Sequence, residues 1–161
     1  MSSVRAELIG ENQVLLAKLR KLGNIQLRGL MTSIAEGLRT STVERFGTGT
    51  SPDGERWQPS LREKEGGKTL VDTAALRNSI HSQVGSDGLA VGTNDIRAAT
   101  HQFGDTRTIR AKNSQFLMFY TGGSWVRVKA VTVTIPERPF LGISAEDASD
   151  IKEQIMEVLE E

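Results

Sequence analysis

The chain contains no cysteine and has no net charge, since its 20 basic residues balance its 20 acidic residues. The lack of cysteine excludes disulfides and thiolate-bound zinc. The lack of net charge gives no sign of general nucleic-acid or membrane binding, although local patches can still bind, and it leaves little repulsion between copies of the chain. The composition therefore suits a subunit of an assembly.

Long apolar runs and aromatic residues are also scarce. The longest wholly apolar run covers residues 116–120, which is far too short to span a bilayer. Arg5, Glu7 and Glu11 interrupt the short apolar stretch at the N-terminus, a pattern that does not match a signal peptide. With 37% hydrophobic residues, a chain of 161 residues still suffices for one domain that buries roughly 70% of its unfolded surface. We expect a single soluble domain over residues 1–161, with no membrane partner.

Signatures of enzyme chemistry are missing as well. Residues 66–69 end like a phosphate-binding loop, but Arg62 stands where that pattern has its first glycine. His81 and His101 have no carboxylate at metal-ligand spacing, and no Gly-x-Ser-x-Gly motif is present. His101 could act as a general base, yet we favour a structural role in which it caps a short helix or packs beside Phe103. We therefore predict no enzyme, no metal and no cofactor.

Apolar residues at intervals of three and four predict a helix over about residues 24–46, after an earlier helix at about 11–23. The apolar face of the longer helix would consist of Leu27, Met31, Ile34 and Leu38. Ser144 would cap a terminal helix, because an acidic residue follows three positions later.

Between these helices, period-two alternation of apolar residues predicts strands. The predicted strands cover about residues 80–84, 89–92, 115–121 and 124–135, with short helices at about 73–78 and 95–101. In the last strand the apolar face changes near residues 129–131, which predicts a β-bulge or bend. The fold class is therefore α+β, with N-terminal helices, a mainly antiparallel β-sheet with long loops, and a C-terminal helix packed on the sheet.

Two polar, glycine-rich segments, residues 47–68 and 104–114, predict long loops that are mobile in the isolated chain. Trp57 would pin the first loop to the domain. The second loop contains the most basic stretch of the chain. Its candidate contacts to a partner or a neighbouring subunit are Arg107, Arg110 and Lys112. An acidic protein surface, DNA and simple solvation all remain open for these cations.

Three segments carry a recognisable combination of residues. The first has a tryptophan within residues 46–61, the second covers residues 99–104, and the third covers residues 135–144. Their motif residues are Trp57, His101, Phe103, Gly104, Arg138, Pro139, Phe140, Leu141 and Gly142. In this order and at this spacing the segments resemble the virion morphogenesis or tail completion family of tailed phages, over about residues 23–159.

The apolar side chains of these motifs are expected in the core. Gly104 and Pro139 fix the backbone that presents Phe103, Phe140 and Leu141. We therefore predict that these three side chains are largely buried.

The resemblance implies a structural protein rather than an enzyme. Such a protein lies at the neck or the tail terminus of the virion, where it completes the tail and/or joins it to the head as a ring of identical subunits. The expected partners are further copies of the chain, in a hexameric ring that follows tail symmetry, and tail-tube or head-connector proteins. DNA would pass through the channel as cargo, and no cofactor is implied.

The resemblance also implies assembly in the host cytoplasm, and it is compatible with a monomer when the chain is isolated. Two alternatives to the structural role stay open. One is a transient tail-assembly factor that is absent from the virion, and the other is a nucleic-acid-binding accessory protein.

Overall fold

The computed structural model describes residues 24–86 and 88–160, and the earlier helix predicted at about residues 11–23 lies outside them. The helices are α1 (Asn24–Thr48), α2 (Leu61–Lys64), α3 (Ala75–Asn78), α4 (Ala98–Phe103) and α5 (Ala145–Glu160). The strands are β1 (His81–Val84), β2 (Leu89–Gly92), β3 (Asp105–Arg110), β4 (Leu117–Thr121), β5 (Ser124–Val128) and β6 (Ala130–Ile135). These elements confirm the α+β class. No helix in the described ranges is long and apolar enough to cross a membrane.

α1 contributes to two hydrophobic clusters, one near each end of the helix. The first cluster consists of Leu30, Ile34, Leu38 and Ile151. The second cluster consists of Phe46, Trp57, Leu76, Ile80 and Phe140. The predicted apolar face was right for Ile34 and Leu38, whereas Leu27 and Met31 are only half-buried.

The C-terminal helix packs against α1 and β2. Ile151 of α5 belongs to the first cluster, and Leu89 and Val91 of β2 pack against the same cluster. The start of α5 is capped as predicted: Ser144 Oγ accepts the N–H of Asp147 at 3.1 Å, and the Asp147 carboxylate accepts the N–H of Ser144 at 2.8 Å. This reciprocal pair of bonds satisfies two donors at the helix start.

The strands form three separate antiparallel pairs, and two of these pairs belong to one long hairpin over residues 105–135, which we call the arm. β3 pairs with β6 at its base, and β4 pairs with β5 at its tip. The chain reverses at Gly122 and Gly123, whose φ angles of 59° and 83° suit glycine. Lys129 separates β5 from β6, which confirms the predicted break in the last strand.

The prediction of a loop over residues 104–114 was wrong for the first half of this segment, which forms β3. Thr106 lies opposite Thr134, and Thr108 lies opposite Thr132, with hydroxyl contacts of 3.3 and 3.0 Å. β-Branched residues suit a pleated ladder, and the sequence interpretation gave the interleaved charges too much weight.

The segment predicted as a loop over residues 47–68 contains regular structure too. The N–H of Ser51 donates to the carbonyl of Glu55, and the N–H of Trp57 donates to the carbonyl of Gly49, both at 2.8 Å. α2 follows this turn, with Ser60 as its N-cap. Local hydrogen bonds therefore organise much of a segment whose composition predicted none.

Candidate functional site

The three motif segments meet at the backbone of residues 138–142. Phe140 is fully buried, and its ring centroid lies 5.2 Å from that of Phe46. Trp57, only 4% exposed, meets Phe46 edge-on at 5.7 Å, and its Nε1 donates to the carbonyl of Pro139 at 2.9 Å. Trp57 and Phe140 therefore lie in the core; burial was predicted for Phe140, and Trp57 pins its segment to the domain as expected.

Gln102 joins the second motif segment to the third. Its Nε2 donates to the carbonyl of Leu141 at 3.0 Å, and its Oε1 accepts the N–H groups of Phe140 and Leu141 at 3.1 and 3.0 Å. A primary amide suits this buried position because it donates and accepts at once. Sequence reasoning did not single out Gln102, although it lies between two motif residues, His101 and Phe103.

Arg45 of α1 binds the same backbone. Its Nη1 donates to the carbonyls of Phe140 at 3.0 Å and Gly142 at 2.9 Å. Its Nη2 forms a buried ion pair with Asp147 of α5 at 2.5 Å, in which the two side chains are 6% and 8% exposed. Sequence reasoning missed Arg45, because its partners lie 95 to 102 positions further along the chain.

Asp147 is held in its charged form by the groups around it. Burial alone would raise the pKa of this carboxyl group, but hydrogen bonds from Ser41 and Ser144 and the charge of Arg45 outweigh burial, so the pKa lies below its ordinary value. The pair of Arg45 and Asp147 thus ties α1 to the start of α5 and to residues 138–142.

Two motif glycines lie where a side chain does not fit. Gly104 has a φ of 71°, and a Cβ there would lie 3.0 Å from both the carbonyl of Ile135 and the nitrogen of Glu137. Gly142 has a φ of 155°, and a Cβ there would lie 2.6 Å from Cγ of Pro52. The close approach of neighbouring chain segments therefore requires glycine at both positions.

Arg138 connects all three segments. Its backbone N–H donates to the carbonyl of His101 at 2.7 Å, and its side-chain Nε donates to the carbonyl of Gln58 at 2.8 Å. Only 6% of the residue is exposed. We call the set of buried contacts around residues 138–142 the knot.

His101 lies in the last turn of α4, with its Nδ1 buried and without a hydrogen-bond partner in the part of the chain that the structure describes. Burial lowers the pKa of the imidazole below its ordinary value, the charges of Arg138 and Arg97 lower it further, and Asp95 opposes them. These surroundings therefore favour the neutral imidazole.

Phe103 is 60% exposed, so the prediction that it is buried was wrong. Successive residues of a helix are rotated by about 100°. Because α4 directs Gln102 into the knot, the next side chain turns towards solvent. Leu141 is half-buried and packs against the cluster that contains Phe140.

The arm carries the three cations predicted as contacts, and none of residues 105–135 is buried. Arg107 forms an ion pair with Asp105 at 3.1 Å. Arg110 and Lys112 form no ion pair with any residue of 24–86 or 88–160. The structure thus places all three side chains on the hairpin or just beyond its first strand, away from the knot's buried contacts.

The end of the arm also has an exposed apolar face, which sequence reasoning did not single out. Met118, Tyr120 and Trp125 are 65%, 63% and 69% exposed, and we call them the tip patch. The rings of Tyr120 and Trp125 meet edge to face at 5.7 Å. Beside them, the guanidinium of Arg127 lies 3.9 Å from the ring centroid of Phe116.

The two regions differ in what they can do chemically. Most side-chain hydrogen bonds of the knot are made to the protein's own backbone, and Arg45 also pairs with Asp147, so these contacts fix structure. The arm presents apolar and cationic groups to solvent, so it can bind. No group of three or more His, Cys, Asp or Glu side chains among the described residues is arranged to hold a metal ion.

Comparison with known proteins agrees with the motif resemblance. The model of the phage virion morphogenesis family matches residues 11–160. The chain is 33% identical over 128 residues to the Mu-like prophage FluMu G protein 2 of Haemophilus influenzae strain Rd, an alignment that covers 80% of this chain and 75% of that protein. No solved structure matches the chain. The chain therefore belongs to the phage virion morphogenesis family.

Proposed function

We propose that this protein, which serves phage morphogenesis, is a structural component of the neck or the tail terminus. It completes the tail and/or joins it to the head as a ring of identical subunits. Its partners are further copies of itself in a hexameric ring and the tail-tube or head-connector proteins. DNA passes through the ring as cargo, and the protein acts by binding alone.

The observation that carries this proposal is the arm. A hairpin of two strands is at best marginally stable by itself, and both of its edges present unpaired backbone groups. This hairpin also leaves all three side chains of the tip patch mostly exposed. Aromatic side chains are enriched where proteins contact each other, and arginine is enriched with them. A neighbouring protein in the particle would cover this face.

The cations of the arm support a protein partner more than a DNA partner. Arg107 is already paired with Asp105, and Arg127 lies against an aromatic ring. The remaining free charges are few, whereas binding to duplex DNA draws its affinity from many phosphate contacts. An acidic patch on a partner protein fits such a small number of cations.

The test is a triple substitution of the tip patch, Met118→Thr, Tyr120→Thr and Trp125→Thr, in a phage that lacks the wild-type gene. Threonine keeps a strong tendency to form strands, so the hairpin and the core should persist. We expect an unchanged melting temperature and a fall in joined, infectious particles of roughly tenfold or more, since buried aromatic contacts dominate interfaces. Electron microscopy would count tails that are incomplete or unjoined.

The matched control is the double substitution Leu61→Thr and Ile96→Thr. These side chains are 74% and 94% exposed but lie outside the arm, so particle yield should stay at the wild-type level. Normal joining by the tip-patch variant would contradict the proposal. Protein analysis of purified virions separates the alternatives: absence of the protein would favour a transient assembly factor, and salt-sensitive retention of DNA would favour a nucleic-acid-binding accessory protein.

A further inference from the structure

A pocket of about 220 Å³ lies beside the knot, and cationic side chains dominate its charged lining. The charged or titratable residues around it are Arg62, Lys68, Asp72, Arg97, His101 and Arg138. The function proposed above assigns no role to this pocket.

Arg138 is the unusual member of the lining. Its side chain is largely buried, and among the residues that the structure describes its Nε bond to Gln58 is the only hydrogen bond of that side chain. No carboxylate of those residues lies within ion-pair distance of it. Glu63 acts on it from further away, and that carboxylate already accepts hydrogen bonds from Thr69 and Arg56. The two terminal nitrogens of Arg138 have no hydrogen-bond partner among the described residues, and they are accessible from the pocket rather than fully buried. An anion that enters the pocket can therefore bind them.

Two other groups in the pocket lining also lack a partner among the described residues. His101 Nδ1 is buried without a partner, and Lys68 is exposed without an ion pair among the described residues. By contrast, two arginines of the lining are neutralised. Arg62 pairs with Asp72 at 3.0 Å, and Arg97 pairs with Asp95 at 2.5 Å. The net free charge is therefore that of Arg138 and Lys68, which suits one small anion rather than a polyanion.

We propose that this pocket binds the carboxylate of an acidic side chain from the α5 helix of a second copy of the chain. The proposal rests on the ring of identical subunits proposed above. Arg138 would hold the carboxylate through its terminal nitrogens, as guanidinium groups hold carboxylates elsewhere, and Lys68 would add charge at the entrance.

Charge complementarity favours α5 as the source. The helix has six acidic residues and one basic residue, in a chain with no net charge. Five of its carboxylates are exposed and form no ion pair with the described residues: Glu146, Asp150, Glu153, Glu157 and Glu160. An acidic side chain can insert a single carboxylate on a flexible stem. The phosphates of duplex DNA lie on a stiff rod and are met best by protruding cations.

The pocket is tested first without any ring. Sodium acetate is titrated into the full chain at constant ionic strength, with sodium chloride as the reference, while NMR follows the imidazole signals of His101. We expect a saturable shift with acetate alone, together with a rise in the pKa of His101, because a bound anion favours the charged imidazole over the repulsion of Arg97 and Arg138. Acetate that acts no differently from chloride would overturn the proposal.

Substitutions show which residues form the site. Arg138→Gln should weaken acetate binding roughly tenfold or more, because a hydrogen bond to a charged group is lost. Arg110→Gln, on the arm, is the matched control and should leave binding unchanged. If the Arg138→Gln variant does not fold, the Lys68→Glu variant is used instead, since the side chain of Lys68 is exposed. Equal acetate binding by the wild type and the pocket variant would sink the site.

The occupant is tested by charge reversal in the full chain, with sedimentation as the measure of assembly. Lys68→Glu should abolish the assembly, and Asp150→Lys, Glu153→Lys and Glu157→Lys together should also abolish it in a chain that keeps Lys68. Assembly that survives Lys68→Glu would exclude α5 as the ligand while leaving the ring intact. Acetate binding by a chain that assembles neither in solution nor in particles would support the pocket and refute the ring. Duplex DNA that competes with acetate would reassign the site to a nucleic-acid phosphate.

Discussion

Replacing Arg45 by methionine tests whether the knot holds the domain together. Methionine keeps a long, flexible apolar side chain and removes the guanidinium. The change deletes hydrogen bonds to the carbonyls of Phe140 and Gly142 and leaves Asp147 as a buried carboxylate without its cation. Because three separate parts of the chain meet at this one side chain, its removal should weaken the whole domain.

The expected loss follows from the burial of the ion pair. Removing one partner of a buried pair costs roughly 3–5 kcal/mol, because the other charge stays buried without compensation. Each carbonyl that is left without a donor can add about 1–3 kcal/mol, but Asp147 can take up a proton and recover part of this energy. We therefore expect a fall of about 3–5 kcal/mol in the free energy of unfolding, out of the roughly 5–15 kcal/mol that is typical of a domain.

Urea unfolding at pH 7, followed by circular dichroism, measures this change. The matched control lies on the same helix: Arg39 pairs with Glu36 at 2.9 Å, but the two side chains are 39% and 51% exposed. Arg39→Met should therefore cost much less than Arg45→Met, because solvent screens an exposed pair. Equal losses for Arg39→Met and Arg45→Met would refute the conclusion that burial makes the Arg45 pair important.

Three further changes probe the same region. Phe140→Ala should cost roughly 3–5 kcal/mol in urea unfolding, since the ring is fully buried; an unchanged stability would mean that the core tolerates its loss. Gly104→Ala should lower the melting temperature more than Gly54→Ala. Both glycines have a positive φ, but only at Gly104 would an added Cβ lie close to backbone atoms. Equal shifts in melting temperature would show that the backbone conformation alone matters. The pKa of Asp147 is lowered on folding, so its contribution to stability is present above the unfolded pKa and is lost as the pH falls through the folded pKa. Wild-type stability should thus decline below about pH 4, and Asp147→Asn should flatten that decline in a series of thermal melts.

Features set by local patterns could be predicted from the sequence. Apolar spacing located α1 and two of its buried residues, Ile34 and Leu38, and the change of face located the break at Lys129. The acidic residue three positions after Ser144 identified the start of α5. Each of these features depends on residues close together in the chain, where helix and strand periods act directly.

The polar contacts of the knot could not be predicted in the same way. Gln102 bonds to backbone atoms 38 and 39 positions away, and Arg45 pairs with a carboxylate 102 positions away. No local pattern specifies such pairs, because they follow from how the helices and the third motif segment pack. The prediction that Phe103 is buried was wrong for the same reason, because the hydrogen bonds of Gln102 decide the orientation of α4.

The knot also fixes both ends of the arm. The second motif segment ends at Gly104, one residue before the arm, and the third segment begins as the arm returns. Gly104 allows the two ends of the arm to approach, and the bond from Arg138 to His101 closes its base. Both ends of the hairpin are thus fixed by buried contacts, while none of its own residues is buried. Substitutions in the knot should therefore change stability, whereas substitutions along the exposed faces of the arm should change partner binding with little effect on the core.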